Sequence, residues 1–118
     1  MSRMDGQTGE NKASDILANL GYKILDRNYH SRSGEIDIVA EKNKKICFIE
    51  VKYRQNQGFG LPQEAVTKKK LDRIFKTAKL YLYDNDLSER DWQIDVFAIN
   101  KNKGSYKIIE NVLVEGLK

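Results

Sequence analysis

Two neighbouring apolar runs of the chain are interrupted by charged residues, two carboxylates and a lysine. Asp37 stands inside GEIDIVA, and Glu50 and Lys52 stand near the end of ICFIEVK. Both runs predict β-strands because they are rich in Ile and Val. Since side chains alternate across a strand, Glu50 and Lys52 share one face of the second strand, and Glu35, Asp37 and Val39 share one face of the first. Carboxylates and an ammonium in this pattern are candidates for metal binding and hydrolysis.

A two-residue turn at residues 43–44 brings the two strands into register. The first turn residue is Asn, which tolerates the positive φ that such a turn requires. Pairing outward from this turn sets Asp37 opposite Glu50 and Glu35 opposite Lys52. Asp37 and Glu50 are then a non-hydrogen-bonded pair, in which the Cα atoms lie about 4.5 Å apart.

Like charges directly opposite one another destabilise a sheet. At an effective dielectric constant of about 20, two carboxylates at this distance repel by roughly 3–4 kcal/mol. A divalent cation between them would remove the repulsion, and oxygen ligands without Cys or His favour Mg²⁺ or Mn²⁺ over zinc. The alternative is a purely structural role, in which both acids lie at the rim of the sheet and pair with Lys52 and Arg54. The hairpin therefore indicates a candidate metal site.

Two further residues favour the metal interpretation. Glu10 precedes Ala13 and Leu17 by three and seven residues, so it lies on the buried side of the predicted first helix. Lys52 places an ammonium beside the proposed cation. A metal polarises a phosphate and lowers the pKa of water, and a lysine orients the nucleophile or stabilises developing charge. Phosphodiester hydrolysis is the chemistry that this set would perform.

The predicted elements are those of a mixed α/β protein. A first helix spans residues 8–20, with Leu20 on its buried stripe, and Gly21 supplies its C-terminal turn. A second helix begins after a Thr67 cap and has an apolar stripe that runs to Leu82. Five strands are expected at residues 22–30, 35–41, 45–54, 92–100 and 105–114. We expect a mixed β-sheet flanked by α-helices, with residues 1–118 forming a single domain.

Positive charge is concentrated on the second helix, where six basic residues accompany only Asp72. Lys69, Arg73 and Lys76 share a face by their spacing. A one-sign stripe suits nucleic-acid phosphates, although a solvated amphipathic helix would explain part of it. The predicted nucleic-acid contacts are Arg54, Lys69, Lys70, Arg73 and Lys76. No base-reading motif is evident, so recognition of shape is expected.

The composition and the length of the apolar stretches exclude disordered, fibrous and membrane-spanning classes of protein. The chain carries 21 basic and 17 acidic residues, with 32% charged and 40% hydrophobic residues, a balance typical of globular proteins. No apolar stretch is long enough to cross a bilayer, and the N-terminus has no apolar signal core, so a cytoplasmic protein is expected. Cys47 is expected to be buried in a strand, His30 to lie in a loop, and Asp95 to pair with a lysine or tyrosine.

Longer strings extend these patterns to most of the chain. GYKILDRNYHSRSGEIDIVA, FIEVKYR, FGLPQEAVTKKK and QIDVFAI, with the earlier Gly9-Glu10, together resemble the YraN-like family of small bacterial proteins regarded as endonucleases. The acidic residue followed by Glu-x-Lys is the signature of the PD-(D/E)XK nuclease superfamily, and the YraN-like family is similar to archaeal Holliday junction resolvases. Ile36 stands where the superfamily pattern has Pro, and Tyr53 where the family more often has Thr.

The resemblance implies a restriction-endonuclease-like core. It implies Glu10, Asp37 and Glu50 as metal ligands and Lys52 as the catalytic lysine. Our hypothesis adds Mg²⁺ or Mn²⁺ as the metal and the Val51 carbonyl as a further ligand. The expected activity is metal-dependent hydrolysis of DNA, with branched and flapped structures among the candidate substrates. The alternative is a nucleic-acid-binding or scaffolding module without catalysis. A homodimer is compatible with either reading.

Overall fold

The computed structural model describes residues 2–54, 67–100 and 104–112, with backbone only at residues 2–8 and 54. The chain forms α1 (Ser2–Asn19), β1 (Lys23–Ser31), β2 (Gly34–Lys42), β3 (Lys45–Arg54), α2 (Lys68–Asp84), β4 (Trp92–Asn100) and β5 (Tyr106–Ile109). The predicted loop after β3 and most of the predicted turn before β5 lie outside the described residues. Neither described helix combines the length and apolarity needed to cross a membrane.

The five strands form one sheet in the order β1-β2-β3-β4-β5. Neighbouring strands are antiparallel except β3 and β4, which run parallel. Parallel neighbours cannot be joined by a tight turn, and α2 lies in the crossover between them. The predicted mixed α/β class is confirmed, and the arrangement is consistent with a restriction-endonuclease-like fold.

The helices cover opposite faces of the sheet. The core beneath α2 combines its apolar stripe with the sheet residues Ile36, Val39, Ile46, Phe48 and Ile94. The core beneath α1 combines Ala13 and Leu17 with Ile38, Ala40, Cys47, Ile49, Phe97 and Ile99. Strand β3 contributes to both cores, so its interior is buried on both faces. A functional group on β3 is therefore exposed only where the strand leaves these cores.

The boundaries of α1 differ from the prediction at both ends. The helix begins at Ser2, six residues earlier than predicted, and Leu20 is 42% exposed instead of lying on the buried stripe. The helix ends at Asn19 and is followed by a turn at Gly21, with φ +97°, where Tyr22 N donates to Leu17 O and Gly21 N to Ala18 O. This is a Schellman motif, in which the left-handed turn carries Leu20 away from the core and returns Tyr22 to it.

The turn between β2 and β3 is as predicted. Asn43 and Lys44 have φ of 53° and 66°, which a type I′ hairpin turn requires. The predicted register holds from Lys42–Lys45 to Ile38–Ile49.

Strand β5 is shorter than predicted and ends at Ile109. Asn111, two residues further, adopts a positive φ of 56°, which is not a strand conformation.

Two single predictions from the sequence have different outcomes on the α1 face. Cys47 is buried as predicted, and burial raises the pKa of its thiol to about 12, so the thiolate is scarce at neutral pH. Asp95 is fully buried, but its Oδ1 accepts from Gln93 Nε2 at 2.9 Å and from Asn111 N at 2.8 Å. In the described part of the chain the expected lysine or tyrosine is not among its hydrogen-bond donors, because the turn after β5 supplies a backbone N–H instead.

Close packing of α1 on β3 depends on Gly9. A Cβ atom at this position would lie 2.9 Å from Cδ1 of Tyr53, which is closer than carbon atoms approach without displacement. Only glycine lets the helix approach the Tyr53 ring at this distance. The contact sets the position of the next residue, Glu10, relative to the sheet.

We expect Gly9→Ala to destabilise the protein although alanine favours helix formation by about 1 kcal/mol. The added methyl must push α1 away from Tyr53, so the net loss is on the order of 1–2 kcal/mol. Urea unfolding measures it. Ala18→Gly, at an exposed position of the same helix, calibrates the propensity effect. A Gly9→Ala protein more stable than wild type would show that the space is open.

Candidate metal and nucleic-acid site

The regular alternation of β2 is broken at Asp37. Ile36 packs in the α2 core, whereas Ile38, two residues along, packs in the α1 core with Ala40. Opposite this position, Asn28 of β1 adopts a φ of +54°, a left-handed conformation that Asn tolerates better than most residues. The prediction that Glu35, Asp37 and Val39 share one regular face is therefore wrong.

The ladder between β2 and β3 ends one residue before Asp37, at Ile38–Ile49. Asp37 and Glu50 consequently do not form the predicted backbone pair, and Glu35 pairs with His30 of β1 instead of facing Lys52 in the ladder. The Asp37 carboxylate replaces the missing pairing, because its Oδ2 accepts from the backbone N of Val51 at 2.8 Å. The two strands part here and leave room between them.

Glu10 approaches the same region from α1. Arg27 Nη2 of β1 lies 3.5 Å from Glu10 Oε1, an ion-pair contact without hydrogen-bond geometry. Oε1 is buried and has no hydrogen-bond partner among the described residues. Burial raises the pKa of Glu10, and the Arg27 guanidinium offsets only part of the shift. A buried carboxylate oxygen without a donor is suited to accept a ligand.

Glu50 lies on the α2 side of β3 and is only 6% exposed. Its Oε2 lies 2.5 Å from Lys70 Nζ and 3.8 Å from Lys52 Nζ. The Lys52 contact follows from their spacing on one strand, whereas Lys70 belongs to the first turn of α2. Two ammonium groups therefore compensate one buried carboxylate.

These groups line one open cavity of about 590 Å³. Its walls come from α1, the ends of β1, β2 and β3, and the first two turns of α2. The lining residues are Glu10, His30, Ser31, Gly34, Glu35, Asp37, Glu50, Val51, Lys52, Tyr53, Lys70, Arg73 and Ile74. All of the predicted metal ligands and the predicted catalytic lysine thus lie around a single space.

The surroundings of the cavity shift the pKa values of three side chains that line it. Burial, followed by the Glu50 charge, raises the pKa of Asp37 to about 7. Burial, followed by the Lys70 charge, lowers the pKa of Lys52. Burial also opposes the charge on Lys70, but the hydrogen bond and charge of Glu50 outweigh it and raise the pKa of Lys70. Opposed shifts in adjoining groups are typical of functional sites.

The donor set fits a hard divalent cation, although its side chains are held apart. Among the described residues, no three Asp, Glu, His or Cys side chains have converged in a geometry that could hold a metal ion. Each carboxylate has a separate partner: Arg27 for Glu10, Val51 N for Asp37 and Lys70 for Glu50. Glu10 Oε1 accepts no hydrogen bond from the described residues, and burial with the Glu50 charge raises the pKa of Asp37. Both observations favour a cation among oxygen ligands.

The predicted nucleic-acid contacts whose side chains the structure describes divide into two pairs on α2. Lys70 and Arg73 line the cavity. Lys69 and Lys76 are exposed on α2 outside the cavity lining, and Lys76 pairs with Asp72 at 3.3 Å. Arg54 is the last residue of β3, and its side chain is not among those described.

Sequence reasoning missed part of the lining. His30, expected in a loop, lies in β1, where its Nδ1 is 3.4 Å from Glu35 Oε1. The contact of Lys70 with Glu50 was also not predicted, because it joins elements separated by the loop after β3. The spacing of Thr67 and Lys70 at a helix start would have placed Lys70 in the first turn, but not its direction.

Replacement of Asp37 by Asn should stabilise the metal-free protein at alkaline pH. The pKa of Asp37 is raised from 3.8 to about 7, so its charge costs nothing below pH 4 and the cost grows as the pH rises to 7. In urea unfolding with EDTA, Asp37→Asn should gain on the order of 2 kcal/mol over wild type at pH 8, and much less at pH 4.5.

Glu35→Gln is the matched control for this measurement. Glu35 lines the same cavity but is exposed, so its neutral variant should differ from wild type by less than about 0.5 kcal/mol. An Asp37→Asn protein that is less stable than wild type at pH 8 would contradict an unfavourable charge at this position.

Comparisons with known proteins identify the family of the chain. Residues 9–99 match the family described as Uncharacterised protein family UPF0102. A UPF0102 protein of Sulfurihydrogenibium sp. is 45% identical over 98 residues, which cover 83% of this chain and 85% of that protein. A UPF0102 protein of Clostridium novyi is 44% identical over 110 residues, covering 90% and 92% of the two chains.

The match extends over the residues of the site. One further relative, from Lachnoclostridium phytofermentans, is 51% identical over 87 residues, 74% of each chain. The matched segment begins at Gly9, which packs on Tyr53, and includes β1 to β3, α2 and most of β4. The chain belongs to the UPF0102 family, as the predicted resemblance to YraN-like proteins indicated.

Proposed function

We propose that the protein is a metal-dependent endonuclease that acts on DNA. The observation that carries the proposal is the meeting of Glu10, Asp37, Glu50 and Lys52 around one cavity. The three carboxylates come from a helix and two strands, and their mutual repulsion destabilises the fold. Stability alone therefore does not explain why they face one another. A site that accepts Mg²⁺ or Mn²⁺ explains why they do.

Each residue has a distinct role in this proposal. Glu10, Asp37 and Glu50 would hold the cation, and the Val51 carbonyl is proposed as a further ligand. A bound divalent cation would lower the pKa of water and polarise a phosphodiester. Lys52, whose pKa is lowered by burial and by Lys70, lies beside Glu50, where it would orient the attacking water or stabilise developing charge.

The binding of DNA would use the entrance formed by α2. Lys70 and Arg73 line the cavity, and Lys69 extends the positive surface along the helix start. These cations suit phosphates, which carry no sequence information, so the substrate would be chosen by shape. Branched and flapped DNA are the proposed substrates. Lys76 would contribute less, because Asp72 neutralises part of its charge.

A specific contact favours the rival function, a nucleic-acid-binding or scaffolding module without catalysis. Lys70 already compensates Glu50 within the protein, so a cation is not required to neutralise that carboxylate. The rival predicts DNA binding that weakens with salt and yields no metal-dependent product. The two functions differ in whether the cavity does chemistry.

We expect Lys52→Ala to reduce cleavage at least about 100-fold while DNA affinity changes little, because the lysine acts on developing charge. The assay uses end-labelled single strands, duplexes, flaps and four-way junctions with Mn²⁺, Mg²⁺ or EDTA. Lys107→Ala, which removes an exposed lysine on β5, is the matched control and should cleave like wild type.

Two outcomes would contradict the proposal in different ways. Cleavage retained by pure Lys52→Ala protein would remove the role assigned to Lys52. If wild-type protein leaves all four substrates intact with either metal, yet shifts them in a salt-dependent gel, the binding module is the better account.

A further inference from the structure

One buried carboxylate is contacted by two lysines of different origin. The Glu50 side chain is 6% exposed, and the shorter of its two ion pairs, at 2.5 Å, is made by Lys70. A buried carboxylate without a countercharge is strongly unfavourable, so this contact stabilises the metal-free site. Lys52, at 3.8 Å, is too distant for a hydrogen bond. Lys70 is therefore the main countercharge of Glu50 in the metal-free protein.

The backbone of Lys70 is fixed, but its side chain is free to change direction. Thr67 caps α2, and its Oγ1 accepts from Lys70 N at 3.1 Å. The Lys70 side chain is 42% exposed and carries its charge on a flexible four-carbon stem. Arg73, one turn along, lines the same cavity. The ammonium can leave Glu50 without moving the helix, and it would remain at the cavity entrance.

We propose that Lys70 is a further catalytic residue. Its ammonium pairs with Glu50 in the free protein and moves to contact the scissile phosphate when a divalent cation binds Glu50. The proposal rests on the proposed nuclease function. An ammonium and a divalent cation repel one another and compete for the same carboxylate oxygen, so binding of one displaces the other. The released ammonium then meets a phosphate that lies between Lys70 and Arg73.

The competition predicts a change in metal affinity that needs no nucleic acid. Lys70→Met removes the competing charge-assisted hydrogen bond, so Mn²⁺ should bind about tenfold more tightly in titration calorimetry. Lys69→Met removes a neighbouring exposed charge that does not line the cavity, and it should change the affinity by less than about twofold. Equal affinities of Lys70→Met and wild type would overturn the proposal.

Wild-type protein provides a second test that does not depend on the folding of a variant. Lys70 in its ion pair should react slowly with acetic anhydride, and saturating Mg²⁺ should raise its labelling at least about threefold, as measured by mass spectrometry. Lys45, an exposed residue in the β2–β3 turn region, is the internal reference. Labelling of Lys70 that is unchanged by Mg²⁺ would contradict its release.

Cleavage assays separate this proposal from the nuclease proposal. At saturating Mn²⁺, Lys70→Met should cleave at least about tenfold more slowly than wild type, because the phosphate lacks one cation. Wild-type rates in this variant would overturn the phosphate contact. If wild-type protein cleaves nothing while affinity and labelling behave as expected, the exchange at Glu50 stands and the nuclease function and the phosphate contact fail.

Discussion

The organisation of the site depends on the repulsion between carboxylates that the fold holds in a partly buried space. Burial and the charge of Glu50 raise the pKa of Asp37 to about 7, so ionisation of this carboxyl in the metal-free protein is unfavourable and incomplete at neutral pH. The other two acids have neighbouring cations that offset their charges. Arg27 lies beside Glu10, and Lys70 and Lys52 lie beside Glu50. A divalent cation is the simplest single group that would offset the repulsion among the three acids.

The fold creates this space by local departures from regular structure. The β2–β3 ladder ends at Ile38–Ile49, and the alternation of β2 changes face around Asp37. The Asp37 side chain then closes the ladder through Val51 N, which leaves Glu50 and Lys52 open to α2. Gly9 allows α1 to approach Tyr53, and this approach brings Glu10 to the cavity. Loss of any one contact would alter the distances among the carboxylates.

Much of this arrangement follows from local sequence rules. Asn43 at a turn that needs positive φ predicted the hairpin register, and helical spacing placed Glu10 with Ala13 and Leu17. The resemblance to YraN-like proteins gave the family and the fold class. Strand periodicity did not predict the departure at Asp37, which lies opposite the left-handed residue Asn28 of another strand. The contact between Lys70 and Glu50 depends on the tertiary position of α2, which no local pattern encodes.

The most direct test of the account is a crystal structure of the protein soaked with Mn²⁺, with data collected at the manganese absorption edge. We expect an anomalous peak from a Mn²⁺ ion bound by Asp37 and Glu50, with Glu10 binding it directly or through water, and Lys70 displaced from Glu50. No peak at millimolar Mn²⁺, with Lys70 still paired to Glu50, would contradict the central claim that these carboxylates form a metal site.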